Sequence, residues 1–263
     1  MRKVVPLVLL MAMLVYPAAG LSWDWTYEDK DELNLSKVDI QWLNASEIDN
    51  KLEFQVNLYD GQGAANPTVA VTFFDTDNNV STGKNITGLG VYGADKVVIV
   101  FWWKWKLARN WHGAGAVFNW SEDKWEYDTY LANFSVCIFY SKDLVIVEND
   151  SFTYQISNVG LDMNVVQFTS DLSSSETPSN LRSFFSGWAT AGFPKLTLNL
   201  IYNEGNNTIE VVLSYDSNSI TAVIVPADKA PDGQNNPPIP ELPAMLLVTA
   251  GIGITALIYR RNS

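Results

Sequence analysis

The feature that most restricts how this chain can fold is a two-residue alternation of apolar and polar side chains through its middle. Leu52, Phe54, Val56 and Leu58 alternate with Glu53, Gln55 and Asn57, and Phe152, Tyr154 and Ile156 alternate with Thr153 and Gln155. Leu196, Leu198, Leu200 and Tyr202 do the same with Thr197 and Asn199. Successive side chains of a strand point to opposite faces, so this period marks half-buried strands. Further β-rich runs at 69–74, 96–105, 134–140, 209–215 and 220–225 are separated by turn signals such as Asp60-Gly61, Asp77-Asn78-Asn79 and Glu204-Gly205-Asn206. No segment between the chain ends shows a convincing helical apolar stripe. About a dozen strands in roughly 210 residues, with no linker or repeat between them, predict an all-β domain built as a single two-sheet β-sandwich.

The two ends are written differently. Met1-Arg2-Lys3 is basic, residues 4–16 are apolar, and Pro17-Ala18-Ala19-Gly20 supplies small residues for cleavage, so 1–20 reads as a secretory signal peptide. An uncleaved anchor is the alternative, although the apolar run is shorter than the ~20 residues of a spanning helix. Residues 243–259 form an uncharged stretch just long enough to cross a bilayer as a transmembrane helix. Arg260 and Arg261 follow it, which places the basic tail 260–263 in the cytoplasm and leaves the domain at 21–229 outside. Between them, 230–242 is rich in Pro, Gly and Asn and reads as a tether. The expectation is a protein of the cell surface, fastened to the membrane at its carboxyl end.

Ile239-Pro240-Glu241-Leu242-Pro243, an apolar helix and then Arg260-Arg261 resemble the PEF-CTERM sorting signals of archaeal surface proteins. The resemblance covers about 25 residues. It implies an archaeal source and processing by an archaeosortase, with Pro240, Glu241, Leu242 and Pro243 as the sorting motif. Leu242 stands where those signals usually have Phe, which leaves open whether the helix is replaced by a lipid or retained.

Composition narrows the function. There are 17 basic against 29 acidic side chains, so a nucleic-acid partner is not expected, because phosphate contacts need clustered Lys and Arg. One cysteine, Cys137, permits no intramolecular disulfide, and one histidine, His112, leaves little material for zinc or triad chemistry. Eight Asn-x-Ser/Thr sequons begin at Asn34, Asn44, Asn79, Asn85, Asn119, Asn133, Asn149 and Asn206, against roughly three expected from composition. That excess suits an N-glycosylated exterior protein, though Asn-rich loops supply part of it.

Asp75, Asp77 and Asn79 place three oxygen-bearing side chains at alternate positions. A hard cation such as Ca²⁺ takes six to eight oxygens, so these residues are candidate metal ligands and Ca²⁺ the candidate cofactor. The competing reading is an Asx-rich hairpin turn whose side chains bond their own backbone. The loop belongs to a longer pattern: Phe73-Phe74-Asp75-Thr76-Asp77-Asn78-Asn79, a Thr82-Gly83 turn, then Gly93-Ala94-Asp95 opening the next strand. With Ser151–Leu161 further on, it resembles the DOMON-like and carbohydrate-binding-module-like sandwiches of extracellular proteins. That resemblance spans about 37–168 and implies a ligand-binding or adhesive module more often than a catalyst.

Six of the ten tryptophans, Trp102, Trp103, Trp105, Trp111, Trp120 and Trp125, fall between Phe101 and Tyr130. In the strand 101–105, alternation puts Phe101, Trp103 and Trp105 on one face and Trp102 with Lys104 on the other. One face is expected in the core. The other, with Trp111, His112 and Trp125 on nearby loops, would form a platform for sugar rings; core packing of most of these tryptophans is the alternative. His112 with Met163 would serve a haem only in the manner of some DOMON domains. Glu122, Asp123, Glu126 and Asp128 offer the carboxylate pair of a glycosidase, or a solvated hairpin. No nucleophile elbow, zinc-protease helix or phosphate loop is present, so no enzyme is expected. The sequence thus predicts a membrane-anchored binding module for glycans, or an envelope protein of structural or interaction role whose partners are other envelope proteins.

Overall fold

A computed structural model describes residues 24–28, 39–48, 51–59, 67–104, 111–133, 144–146, 151–157, 163–172, 176–225 and 228–235. The expected signal segment 1–20, the expected sorting motif Pro240–Pro243, the apolar stretch 243–259, Cys137, Asn34 and Asn149 lie outside them. No helix among the described residues is long and apolar enough to cross a membrane.

The chain is mostly β, in antiparallel sheets. Strands β1 (Asp24–Glu28), β2 (Ile40–Ile48), β3 (Lys51–Leu58), β10 (Leu144–Ile146) and β11 (Ser151–Ile156) form one sheet in the order β1-β2-β3-β11-β10. A six-stranded sheet joins β4 (Thr68–Asp75), β7 (Lys96–Lys104), β8 (Trp111–Ser121), β9 (Lys124–Asn133), β12 (Asn164–Asp171) and β16 (Asp228–Asn235) in the order β16-β12-β4-β7-β8-β9. Strands β13 (Thr197–Asn203), β14 (Thr208–Tyr215) and β15 (Asn218–Ile224) make a three-stranded meander, and β5 (Lys84–Ile86) pairs with β6 (Val91–Ala94). The single α-helix among the described residues, α1, spans Pro178–Thr190.

The period-two segments behave as their pattern requires. In β3, Leu52, Phe54, Val56 and Leu58 are buried while the residues between them are half-exposed, and β11 repeats this with Phe152, Tyr154 and Ile156. The six-stranded sheet differs: all eight residues of β4 are buried, and so are 97–103 of β7. Phe74 and Trp102 face the five-stranded sheet, meeting Phe54 edge-on at 5.4 Å and Phe152 at 4.8 Å. Phe101 and Trp103 face the other way and meet Phe185 of α1 at 5.8 and 5.7 Å. Both faces are therefore covered, one by the five-stranded sheet and the other by α1 with the meander, which is why these strands read as continuous apolar runs. Gly115 makes the layer close: a Cβ there would stand 1.9 Å from the carbonyl oxygen of Ile99 on the neighbouring strand.

Two expectations need correction. The two facing sheets are joined by a third layer, and that layer contains a helix the sequence did not announce. Thr177 caps it, its hydroxyl oxygen accepting the Asn180 N–H at 3.2 Å, and Pro178 occupies the first turn. Leu181, Phe184, Phe185 and Trp188 then line one side of α1 and are buried. The stripe is short and interrupted by Ser183, Ser186 and Gly187, which hid it. In addition, β16 takes in 230–235, residues whose composition reads as tether.

A buried polar chain fixes how the two large sheets face each other. The Tyr154 hydroxyl of β11 donates to Thr72 Oγ1 of β4 at 2.8 Å, Thr72 donates to Gln167 Oε1 of β12, and Gln167 Nε2 donates to the Phe168 carbonyl at 2.8 Å. Each polar atom in that chain has a partner, so it orients the sheets without leaving an unmet hydrogen bond. Truncating the third layer should be costly: Phe185→Ala is expected to lower the free energy of unfolding by about 3–5 kcal/mol in a denaturant titration. Val225→Ala, at a residue 57% exposed, should change it by less than about 0.5 kcal/mol.

Candidate functional site

The register of the central sheet assembles an acidic cluster. Phe74 of β4 pairs with Lys96 of β7, so Asp75 at the end of one strand and Asp95 at the start of the other come side by side. The loop after β4 turns Asp77 back toward them. The carboxylate oxygens of Asp75, Asp77 and Asp95 lie within 4.8 Å of one another, with Asp75 buried, Asp95 half-buried and Asp77 exposed. These three residues can hold a metal ion.

The loop is closed by its own hydrogen bonds. The Asn79 N–H donates to Asp75 Oδ1 at 3.1 Å and to Asp77 Oδ1 at 3.0 Å, and Thr82 Oγ1 donates to Asp77 at 3.0 Å. Thr76 donates to Asp95 Oδ2 from both its N–H and its hydroxyl, each at 3.0 Å. Asn164 Nδ2 reaches Asp75 Oδ2 at 3.4 Å and Asn78 Oδ1 at 2.6 Å. Two glycines make room for this. Gly93 has φ +65°, and a Cβ there would stand 2.9 Å from Asp75 Oδ2 and 2.8 Å from the Asn79 carbonyl oxygen. Gly83, also at φ +65°, approaches Gly93 so closely that a Cβ would stand 2.5 Å from its carbonyl oxygen.

Burial raises the pKa of Asp75 above its ordinary 3.8; the Asn79 N–H and Asn164 amide oppose that shift, and Asp77 adds to it. Three converging carboxylates, one of them removed from water, are the donor set that a hard cation relieves. Of the expected ligands, Asp75 and Asp77 meet in the cluster. The Asn79 side chain instead accepts the Ser81 N–H at 3.1 Å, an Asx turn, so the turn reading and the cation reading are both built into the loop. Asp95 lies outside the local Asp75-x-Asp77-x-Asn79 pattern. Its signal was the Gly93-Ala94-Asp95 run, whose meaning depends on strand register.

The expected aromatic platform is rearranged. Trp102 is 2% exposed and packed on Phe152, so it is not on an open face. His112 is 4% exposed, lies 6.1 Å from Trp103, and has its pKa lowered first by burial and then by Arg182 of α1. Alternation on β7 implies one wet face, but the five-stranded sheet covers the Trp102 side and the third layer covers the Trp103 side, where His112 packs. Trp111 opens β8, and its side chain lies outside the description. Trp125 remains half-exposed, edge-on to Trp120 at 5.0 Å and leaning on Phe73 at 6.4 Å. Lys84 Nζ stands 4.8 Å over the Trp120 ring. Along the same strand Tyr127 is half-buried, with a pKa pushed up to about 12 by burial and then by Tyr130 and Asp128.

Glu122 and Asp123, with φ of 50° and 65°, form the two-residue turn of the β8–β9 hairpin. Glu126 is paired with Lys124 at 2.9 Å, and Asp128 with the buried Lys96 at 3.2 Å. Met163 is fully buried at the entry to β12. Among the sequons, Asn44 lies in β2, Asn79 in the acidic loop, Asn85 in β5, Asn119 in β8, Asn133 at the end of β9 and Asn206 in the β13–β14 turn.

No protein-family model, no curated protein and no solved structure matches this chain. The chain forms a β-rich domain of several antiparallel sheets carrying a carboxylate cluster.

Two consequences follow from the Asp75 environment. With metal chelated, the folded state holds its proton more tightly than the unfolded chain, so stability should fall as pH rises from 3.8 through the raised pKa. Asp75→Asn should flatten that part of a melting-temperature profile against pH. Gly93→Ala places a side chain at positive φ against Asp75 and should cost roughly 1–3 kcal/mol by chemical denaturation.

Proposed function

We propose that this protein is a membrane-tethered domain of the cell surface that acts by contact with other envelope components and is braced by Ca²⁺ at Asp75, Asp77 and Asp95. The observation that carries this reading is the convergence of three carboxylates within 4.8 Å at one end of the central sheet. A site of this kind suits the exterior, where modules bind calcium with affinities of about 10⁻⁴–10⁻³ M and the ion is abundant. The ion would join the end of β4 to the start of β7, tying the loop to the two strands on which both outer layers rest. The signal segment, the apolar stretch 243–259 and the PEF-CTERM-like motif support export and anchoring of an archaeal surface protein. The face-to-face pairing of the five- and six-stranded sheets supports the DOMON-like sandwich as the core of the domain.

Glycan binding is the second reading, and the half-exposed Trp120 and Trp125 favour it. Trp102 and His112 are too deep to touch a sugar, so the contact surface proposed here is Trp125 and Trp120 with Lys84 beside them. A haem or a glycosidase site has less support: Met163 and His112 are packed inside, and Glu126 and Asp128 are held by lysines.

Calcium at 100 times its dissociation constant should stabilise the fragment 21–236 by about 2.7 kcal/mol, read as a rise in melting temperature that a chelator reverses. Asp95→Asn should abolish the rise, and a melting temperature indifferent to calcium would remove the brace from the proposal. On a glycan array, binding that disappears with Trp125→Ala would favour the second reading over the first.

A further inference from the structure

We infer that Asn206 is a glycan-bearing sequon of this domain and that Asn85 and Asn119, although they satisfy the same sequence rule, stay unmodified. The inference rests on the exported reading above and goes beyond it by distinguishing sequons that the sequence treats alike.

The end of β13 and the β13–β14 turn carry three asparagines, and two of them hold the turn together. Asn203 Oδ1 accepts the Gly205 N–H at 3.1 Å, and Asn207 Oδ1 accepts the Tyr202 hydroxyl at 3.1 Å. Asn206, between them, is exposed, and its carboxamide has no hydrogen-bond partner among the described residues. Glu204, Gly205 and Asn207 around it are exposed as well. A transferase meeting the folded domain therefore finds the Asn206-Asn207-Thr208 sequon on a projecting turn, with its nucleophilic nitrogen unspent. In the transfer, Asn206 Nδ2 bonds to the anomeric carbon of a lipid-phosphate-activated glycan. The bond from that carbon to the phosphate oxygen breaks, the phosphate leaves with the electron pair, and one Nδ2 proton passes to a base of the transferase.

The other two sequons are consumed by the fold. Asn119 accepts a hydrogen bond from Lys96 Nζ, and Lys96 is 3% exposed, so this carboxamide helps to satisfy a buried ammonium. Asn119, Trp120 and Ser121 are also locked in the ladder opposite Glu126, Trp125 and Lys124, where a transferase cannot bend them. Asn85 is exposed, yet both ends of its carboxamide are engaged. Nδ2 donates to the Val80 carbonyl at 3.2 Å, and Oδ1 accepts the Gly93 N–H at 2.7 Å. A sugar on Nδ2 would compete with the first bond and loosen the corner where Gly93 meets Asp75.

The test uses the full-length protein, purified from the membranes of cells that make it, with glycopeptide mass spectrometry at the three sites and surface proteolysis of intact cells alongside. Sugar mass on the Asn206 peptide and bare Asn85 and Asn119 peptides are expected. Asn206→Gln should increase gel mobility without changing the melting temperature, whereas Asn119→Gln should leave mobility unchanged. Occupancy at Asn85 or Asn119 would overturn the inference, because it would show transfer before folding. A bare Asn206 on a chain that the external protease digests would overturn the inference alone. A chain that resists that protease in intact cells would overturn the exported reading and the inference together.

Discussion

The central strands of the six-stranded sheet, β4 and β7, have no wet face, and the other layers take their positions from that constraint. A strand such as β7, apolar at successive positions from Val97 to Trp103, must be covered on both sides or expose several large side chains to water. Five strands cover one side, and α1 with the β13–β15 meander covers the other. Tyr154, Thr72 and Gln167 then select one orientation among the ways two greasy surfaces can be stacked, since any slip would strand buried polar atoms.

The acidic cluster inherits its geometry from the same sheet. Asp75 and Asp95 are neighbours because β4 and β7 are paired in one register, and a slip of one residue would send them to different faces. The cluster is thus attached to the most constrained part of the molecule, even though Asp77 sits on an exposed loop. Burial of Asp75 sharpens the need for compensating charge, and the two left-handed glycines allow the loop to lie close enough for the carboxylates to meet.

Legibility in the sequence tracked how local each feature is. Strands with one wet face, β3 and β11, could be read residue by residue. β7 was recognised as a strand, but its environment was not: alternation implies a wet side only if nothing distant covers it, and α1 lies some 80 residues further along the chain. The helix itself was missed because four apolar residues among serines and a glycine make a weak stripe, whose weight comes from the Phe101 and Trp103 rings it meets. Asp75 and Asp77 were legible as a local pattern, while Asp95 needed strand pairing. The stretch 230–235, Ala-Pro-Asp-Gly-Gln-Asn, resembled a linker because its place in a sheet depends on β12 rather than on its own side chains.

That last strand has a mechanical corollary. β16 meets β12 through consecutive pairs at Asp228, Lys229 and Ala230, then through an irregular stretch to a single pairing of Asn235 with Val165. Tension entering from the carboxyl end would strip the irregular stretch first and stop at the regular ladder. Five residues released in this way would pay out about 17 Å of slack at ~3.3 Å each, so the attachment would yield to a tug before the sheet itself carried the load.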